Sequence, residues 1–197
     1  MQPKKVFSLN PKAKMSNHNN SSEEKQYIIL DTNILCYIGD KILGDLVNQY
    51  LFDLLSRGFG LAISDISFFE LLQGSNNEKE NEGLDLLGQL KQFGLDRDVC
   101  ITASRLTSLY LHEKNAEGKN IINDDQISTE DKLIASTAIL TGSLVLTADV
   151  NDFPRPFFDE AEKEQITYQK RGREISLILE LLKPDIDIIQ QRLASKA

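Results

Sequence analysis

The chain has 197 residues, 41% of them hydrophobic and 26% charged, with a formal net charge of −8. That length suits one domain with a real core, and the acidic total excludes a protein that grips nucleic acid by bulk electrostatics. No apolar run approaches the ~20 residues of a membrane span, so no membrane association is expected. Two cysteines and two histidines (Cys36, Cys100, His18, His112) are too few and too scattered for a disulfide framework or a zinc site. Both cysteines stand in core-like contexts, and a reducing cytoplasm is the expected setting.

Residues 1–25 read as a disordered tail rich in Asn, Ser, Lys and Pro. The tail holds Lys4, Lys5, Lys12 and Lys14, and residues 1–22 hold no acid, so the folded body is more acidic than the whole. It has no continuous apolar stretch, so it does not resemble a secretory signal, and Met15 is an alternative start. From Tyr27 strands and helices alternate. "YIIL" (27–30) is a short apolar strand. Residues 41–57 place Ile42, Leu46, Val47, Tyr50 and Leu54 on one helical face. "GLAIS" (60–64) is a second strand. "DISFFELLQG" follows as a helix, capped by Ser64 or Asp65 and stopped at Gly74. A helix is expected near 80–93, a third strand at 98–102 and a helix over 103–117 ended by Gly118. "STEDKLIASTAILTG" opens on a Ser128 or Thr129 cap and closes at Gly142. "SLVLT" (143–147) is a fourth strand, 165–169 a candidate fifth, and 173–194 a helix interrupted at Lys183–Pro184.

Such alternation predicts a parallel sheet wrapped by helices, with the functional crevice at the carboxyl ends of the strands. The acids fall there. Asp31 follows the first strand, Glu70 lies on the helix after the second, and Asp131 sits in the first turn of the helix before the fourth. Asp149 and Asp152 follow the fourth. Carboxylates gathered in one crevice repel each other, and a hard divalent cation such as Mg²⁺ or Mn²⁺ relieves that conflict with oxygen ligands.

Each acid also has an ordinary reading. Asp31 is a candidate N-cap, and Asp149 and Asp152 are candidate Asx-turn acids. Of Glu130 and Asp131, both in a helix first turn, Asp131 stands above the Ile134–Ala135–Ala138 face and points inward, while Glu130 turns away. "KRGR" (170–173) is a solvated charge run or, through Lys170, Arg171 and Arg173, a phosphate contact. Lys132 and Arg155 are lesser candidates for that contact.

The ordered set "IILDTNIL", "SDISFFELLQG" and "STEDKLIASTAILTGSLVLTADVNDF" resembles the PIN-domain family across Tyr27 to about Phe153. The resemblance implies a three-layer α/β/α fold with a central parallel sheet of four to five strands. It implies metal-dependent ribonucleases, common as the toxins of VapBC-type toxin–antitoxin pairs. The family's acidic positions fall on Asp31, Glu70, Asp131, Asp149 and Asp152, with Thr32, Asn33 and Thr147 as supporting residues. Asp31, Asp131 and Asp149 are the expected ligands of Mg²⁺ or Mn²⁺. RNA is the implied substrate, an antitoxin protein an implied partner and a homodimer the implied assembly. The alternatives are a DNA structure-specific nuclease and a non-catalytic binding module of the same fold.

On this reading residues 26–170 form the nuclease domain and 171–197 a helical extension that packs on the domain or on a partner. Ile175, Ile178, Leu179 and Leu182 fall at helical spacing, and Ile186, Ile189 and Leu193 continue the stripe past Pro184.

Overall fold

The computed structural model describes residues 25–73, 87–115, 117–120, 122 and 126–195. In chain order the elements are β1 (Tyr27–Leu30), α1 (Thr32–Ile38), α2 (Gly44–Ser56), β2 (Gly60–Ser64), α3 (Asp65–Gln73), β3 (Lys91–Phe93) and α4 (Arg97–His112). They continue with α5 (Thr129–Thr141), β4 (Leu144–Thr147), a 3₁₀ turn at Val150–Asp152, β5 (Phe158–Lys170), β6 (Arg173–Pro184) and α6 (Ile186–Ala194).

One six-stranded sheet runs in the order β3-β2-β1-β4-β6-β5. The first four strands are mutually parallel, while β6 runs antiparallel to both β4 and β5. The α/β class expected from the sequence holds, with a mixed sheet and one more strand than foreseen. Because the strands have helices on both faces, their side chains alternate between two cores. Ile29, Ala62 and Val145 pack against α4, α5 and α6, through Leu106, Tyr110, Ile134, Ala138 and Ile189. Ile28, Leu30, Ile63, Leu144 and Leu146 pack against α1 and α2, through Ile34, Leu35, Val47 and Leu54.

Several expected elements differ. Residues 98–102 open α4 and are not a strand. Asp96 accepts from the backbone N–H groups of Asp98 and Val99, both at 2.9 Å. That cap starts a helix whose buried face runs Val99, Thr102, Ala103, Leu106, Leu109, Tyr110. It outweighs the strand preference of the β-branched residues. The helix ends at His112, before the expected Gly118. The third strand is Lys91–Phe93, inside the range expected to be helical; residues 74–86, with the expected stop at Gly74, lie outside the described residues, as does the tail to residue 24.

The larger correction is at the carboxyl terminus. Residues 173–184 form strand β6, seated between β4 and β5 in the sheet, and only Ile186–Ala194 are helical. The cause is the turn before it. Arg171 and Gly172 both have positive φ, 54° and 74°, the two-residue turn that closes a tight antiparallel hairpin. Lys170 then pairs with Arg173, and the register runs back to Phe158 opposite Pro184, with a bulge between Glu160 and Glu162. The stripe that fits a helix on paper becomes a strand whose Leu179 and Leu181 enter one core and whose Leu182 enters the other. Cys36 and Cys100, expected in core-like places, are both exposed free thiols.

Candidate active site

The acids of interest leave the sheet at one end. Strand β1 stops at Leu30 because Asp31 turns the chain. Its carboxylate Oδ1 caps α1 by accepting from the Thr32 N–H at 2.7 Å. The Asp31 N–H still bonds to the Leu146 carbonyl, so the residue is tied to β4. Oδ2 accepts from the Thr147 hydroxyl at 2.7 Å and from the Asn33 amide at 2.6 Å. Asn33 in turn accepts from the Ala148 N–H through its Oδ1. The N-cap reading of Asp31 is therefore correct, and it coexists with a place in the site.

Glu70 reaches the same end from α3. Ser64 accepts from the Ser67 N–H at the start of that helix, settling which residue serves the turn. The Thr32 hydroxyl donates to Glu70 Oε2 at 2.5 Å. Asp131 enters from the first turn of α5 in a capping box. Ser128 accepts from the Asp131 N–H, and Asp131 Oδ2 accepts from the Ser128 N–H and hydroxyl. The helix closes on Gly142 at φ 67°, a left-handed cap that suits glycine. Asp149 closes an Asx turn, its Oδ1 accepting from the backbone and side-chain N–H groups of Asn151.

These carboxylates feel one another. Burial pushes the Asp31 carboxyl up to about 6, against the Thr147 hydrogen bond, with the charges of Asp131 and Glu70 adding to the rise. Burial pushes Asp152 up to about 7, and Asp131, Asp149 and Asp31 all contribute. Glu70 is raised by burial, eased by Thr32, and raised again by Asp131 and Glu130. All five sequence-predicted acids thus converge, with Asp131 common to the three shifted groups. No lysine or arginine is among the charges that shift them.

The donor set fits a divalent cation: it offers only oxygen ligands, and their charges repel one another. Among the described residues, no three of the acids already stand gathered around a common metal position. The hydrogen bonds explain the spacing, since Asp131 is braced by Ser128 and Asp149 by Asn151. The second oxygens, Oδ1 of Asp131 and Oδ2 of Asp149, accept from no protein donor among the described residues.

The other expected residues divide. Thr32, Asn33 and Thr147 all brace the acids directly. Lys132 is buried, which removes it from the surface contacts considered above. Lys170, Arg171 and Arg173 are exposed at the hairpin turn and outside the acid cluster. Because Thr147 pairs with Glu180 and Val145 with Leu182, the lower-numbered residues of β6 run past the carboxyl end of β4. The basic turn therefore projects from the edge of the sheet where the acids lie. Asp40, held low by the backbone N–H groups of Leu43 and Ile42, also feels Lys170, which places the turn near the end of α1.

Sequence reasoning missed three features. The charge of Glu130 also reaches Glu70. Asn151 fixes Asp149. Cys36, although exposed overall, lies beside the cluster, its thiol pushed up by partial desolvation and by the charges of Glu70 and Asp31. The Asp–x–Asn spacing of the Asx turn was the one visible signal among them.

A mixed α/β sheet that brings five carboxylates to one end of its strands defines an acidic site. The PIN domain family profile matches residues 28–156, and the chain belongs to that family. No curated protein matches it. Similar solved structures include VapBC2 from Rickettsia felis bound to a DNA fragment from its promoter, at 26% identity over 65% of this chain and 91% of that one, TM-score 0.48. A toxin–antitoxin complex from Klebsiella pneumoniae matches at 20% identity over 66% and 92%, TM-score 0.49. FitAcB from Neisseria gonorrhoeae matches at 25% identity over 64% and 90%, TM-score 0.47.

Proposed function

We propose that the chain is a divalent-metal-dependent endoribonuclease that hydrolyses phosphodiester bonds at the acid cluster. The observation that carries this reading is the gathering of Asp31, Glu70, Asp131, Asp149 and Asp152, where Asp31, Glu70 and Asp152 are each raised by burial and by the charges of neighbouring acids. Asp31, Asp131 and Asp149 would hold Mg²⁺ or Mn²⁺, and Glu70 and Asp152 would complete the negative wall around it. A cation there supplies Lewis-acid chemistry, activating water and neutralising charge that builds on the phosphate. Thr147 and Asn33 keep Asp31 oriented, and Thr32 does the same for Glu70. Lys170, Arg171 and Arg173 would hold flanking phosphates of the RNA. Among the described residues, no serine–histidine or cysteine–histidine pair is available for covalent chemistry.

Cleavage of a structured RNA and a matched DNA, each with Mg²⁺, Mn²⁺ or EDTA, tests the reading. RNA cut only with a metal supports it. DNA cut in preference to RNA favours a structure-specific DNA nuclease, and no cleavage by wild-type protein with either metal favours a binding module. Family membership and the motif resemblance also support a toxin role in the cytoplasm with an antitoxin partner. A small neighbouring reading frame for a DNA-binding protein, and its co-purification with this chain, would test that role.

A further inference from the structure

A cleft of about 560 Å³ opens beside the acid cluster, on the sheet face that α4 and α5 cover. Strands β5 and β6 supply Glu160, Glu180 and Leu182 to its walls, and the segment after β4 supplies Asn151, Phe153 and Arg155. The strand register places it. Glu180 pairs with Thr147, so the two side chains share one face of the sheet. Thr147 donates to Asp31 at 2.7 Å, and the Asn151 amide donates to Asp149 at 2.9 Å. Two walls of the cleft therefore adjoin the braces of the acids. Lys170, Arg171 and Arg173 are not among those walls.

The walls suit a ligand that both donates and accepts. Phe153 and Phe158, buried with ring centroids 5.5 Å apart, give the cleft an apolar lining that Val150 continues into solvent. The Glu180 side chain is only 12% exposed. Its Oε1 accepts from Lys163 at 2.9 Å, while its Oε2 accepts from no protein donor among the described residues. Arg155 is exposed, and among the described residues no carboxylate engages it. Pro154 and Pro156 flank it, and a residue ahead of proline is confined to extended backbone, so the guanidinium hangs from a stiff stem. Carboxylates in the wall disfavour a phosphate. A neutral ring with donors on one edge and acceptors on another satisfies both Glu180 and Arg155, and the volume falls within the ~300–1,000 Å³ of ligand pockets.

We propose that this cleft takes an unpaired guanine of the RNA, next to the phosphate at the acids. The inference rests on the ribonuclease reading and adds the base that its site prefers. Unpaired RNA bases are read on their Watson–Crick and Hoogsteen edges. Guanine alone among the four presents two adjacent donors, N1–H and N2–H₂, on the first edge, while O6 and N7 accept on the second. Glu180 accepts from N1–H and N2–H₂. A carboxylate has about four acceptor sites, so the bond from Lys163 leaves room for both. Arg155 donates to O6 and N7, the commonest specific pairing of arginine with guanine. Adenine, cytosine and uracil each set at least one ring or carbonyl lone pair against Glu180, which the buried carboxylate penalises.

Labelled oligouridine with a single central guanosine, adenosine, cytidine or uridine tests this by fluorescence anisotropy on the full chain. Ca²⁺ in place of Mg²⁺ and the Asp31→Asn background keep the RNA uncut. The guanosine strand should bind about tenfold tighter than the other three. Inosine, which lacks the N2 amine, and 7-deazaguanosine, which lacks N7, should each lose much of that gain. Glu180→Gln should no longer tell guanosine from inosine, and Arg155→Gln should no longer tell guanosine from 7-deazaguanosine, a matching of variant to missing atom that a structural role would not produce. If Glu180→Gln loses its circular dichroism, the base analogues and the exposed Arg155 still decide the matter. Equal affinity for the four strands overturns the proposal. So does an Arg155→Gln variant that weakens all four equally, because Arg155 would then hold phosphate. Cleavage is read separately: wild-type protein with Mn²⁺ should cut a mixed-sequence RNA beside guanosines. Guanine preference without cleavage would keep this inference and remove the ribonuclease reading, and cleavage without guanine preference would do the reverse.

Discussion

Asp31 accepts three hydrogen bonds, from Thr32, Asn33 and Thr147, and such bonds ordinarily hold a carboxylate low. It nonetheless titrates near 6, because burial and neighbouring acids outweigh them. Asp152 titrates near 7 for the same reasons. Both values lie above the ~3.9 of an unfolded aspartate, so the folded chain holds more protons than the unfolded chain between about pH 4 and 7. Stability should fall as pH rises through that window and stay low above it. Melting the protein in EDTA at pH 5 and at pH 8 should show a lower Tm at pH 8, and Mg²⁺ or Mn²⁺ should recover much of the loss there. Asp31→Asn should narrow the pH 5 to pH 8 difference while cutting RNA cleavage by about a hundredfold or more. Loss of an outer-shell partner alone typically costs 10–100-fold. Cleavage by Asp31→Asn at the wild-type rate would remove Asp31 from the site. Thr147→Val deletes a hydrogen bond that lowers the Asp31 pKa, so the acid limb of the pH–rate profile should move upward. The acids were legible in the sequence because Asp31, Asp149 and Asp152 follow strands, Asp131 starts a helix, and Glu70 lies among apolar residues on the helix after the second strand. The braces were less so: Thr32 meets Glu70 and Asn33 meets Ala148 only once two strands and two helices are side by side.

The β5–β6 hairpin shows how an element can be misread when its local pattern serves two structures. "REISLILELLKP" has apolar residues at helical spacing and also enough of them to fill both faces of a buried strand. The deciding signal was short, an Arg–Gly turn between two β-prone runs, and its charges drew the reading toward phosphate contact. The same happened at Asp96, whose cap turned a β-branched run into α4. Since β6 lies inside the sheet, deleting residues 173–197 should not yield a smaller folded protein. Leu179, Leu181, Leu182 and Ile189 are all buried. At roughly 1.5–3 kcal/mol per buried aliphatic side chain, their removal costs about as much as a domain's whole stability of ~5–15 kcal/mol. Loss of a cooperative urea transition is the expected result, and a truncated chain that melts sharply would contradict the placement of β6. A gentler perturbation is Gly172→Val. A β-branched residue at φ 74° should lower stability by ~1–2 kcal/mol without unfolding the chain, read as a reduced urea midpoint at constant m-value.

At the scale of the molecule, the proposed function requires an acidic protein with an acidic site to attract a polyanion. The cations are not spread to do this generally: Arg57 is engaged by Glu162 and Asp53, Lys163 by Glu180 and Arg192 by Glu113. Lys170, Arg171 and Arg173 are the densest exposed group in the described body and project from the edge of the sheet that holds the acids. Two contributions to RNA binding then separate by their physics. Any metal at the acids acts on the bound phosphate at short range, while the basic turn acts through counterion release and is read as salt dependence. Replacing all three residues with Gln should weaken binding to single-stranded RNA and flatten the plot of log affinity against log salt. The slope should drop by about 2, since each neutralised phosphate contributes roughly 0.7. Binding should be measured with Ca²⁺ in place of Mg²⁺ and in an Asp31→Asn background, so that cleavage does not intrude. An unchanged slope would return the run to a solvated turn and leave substrate capture to the metal at the acid cluster, in which case EDTA rather than salt should release the RNA.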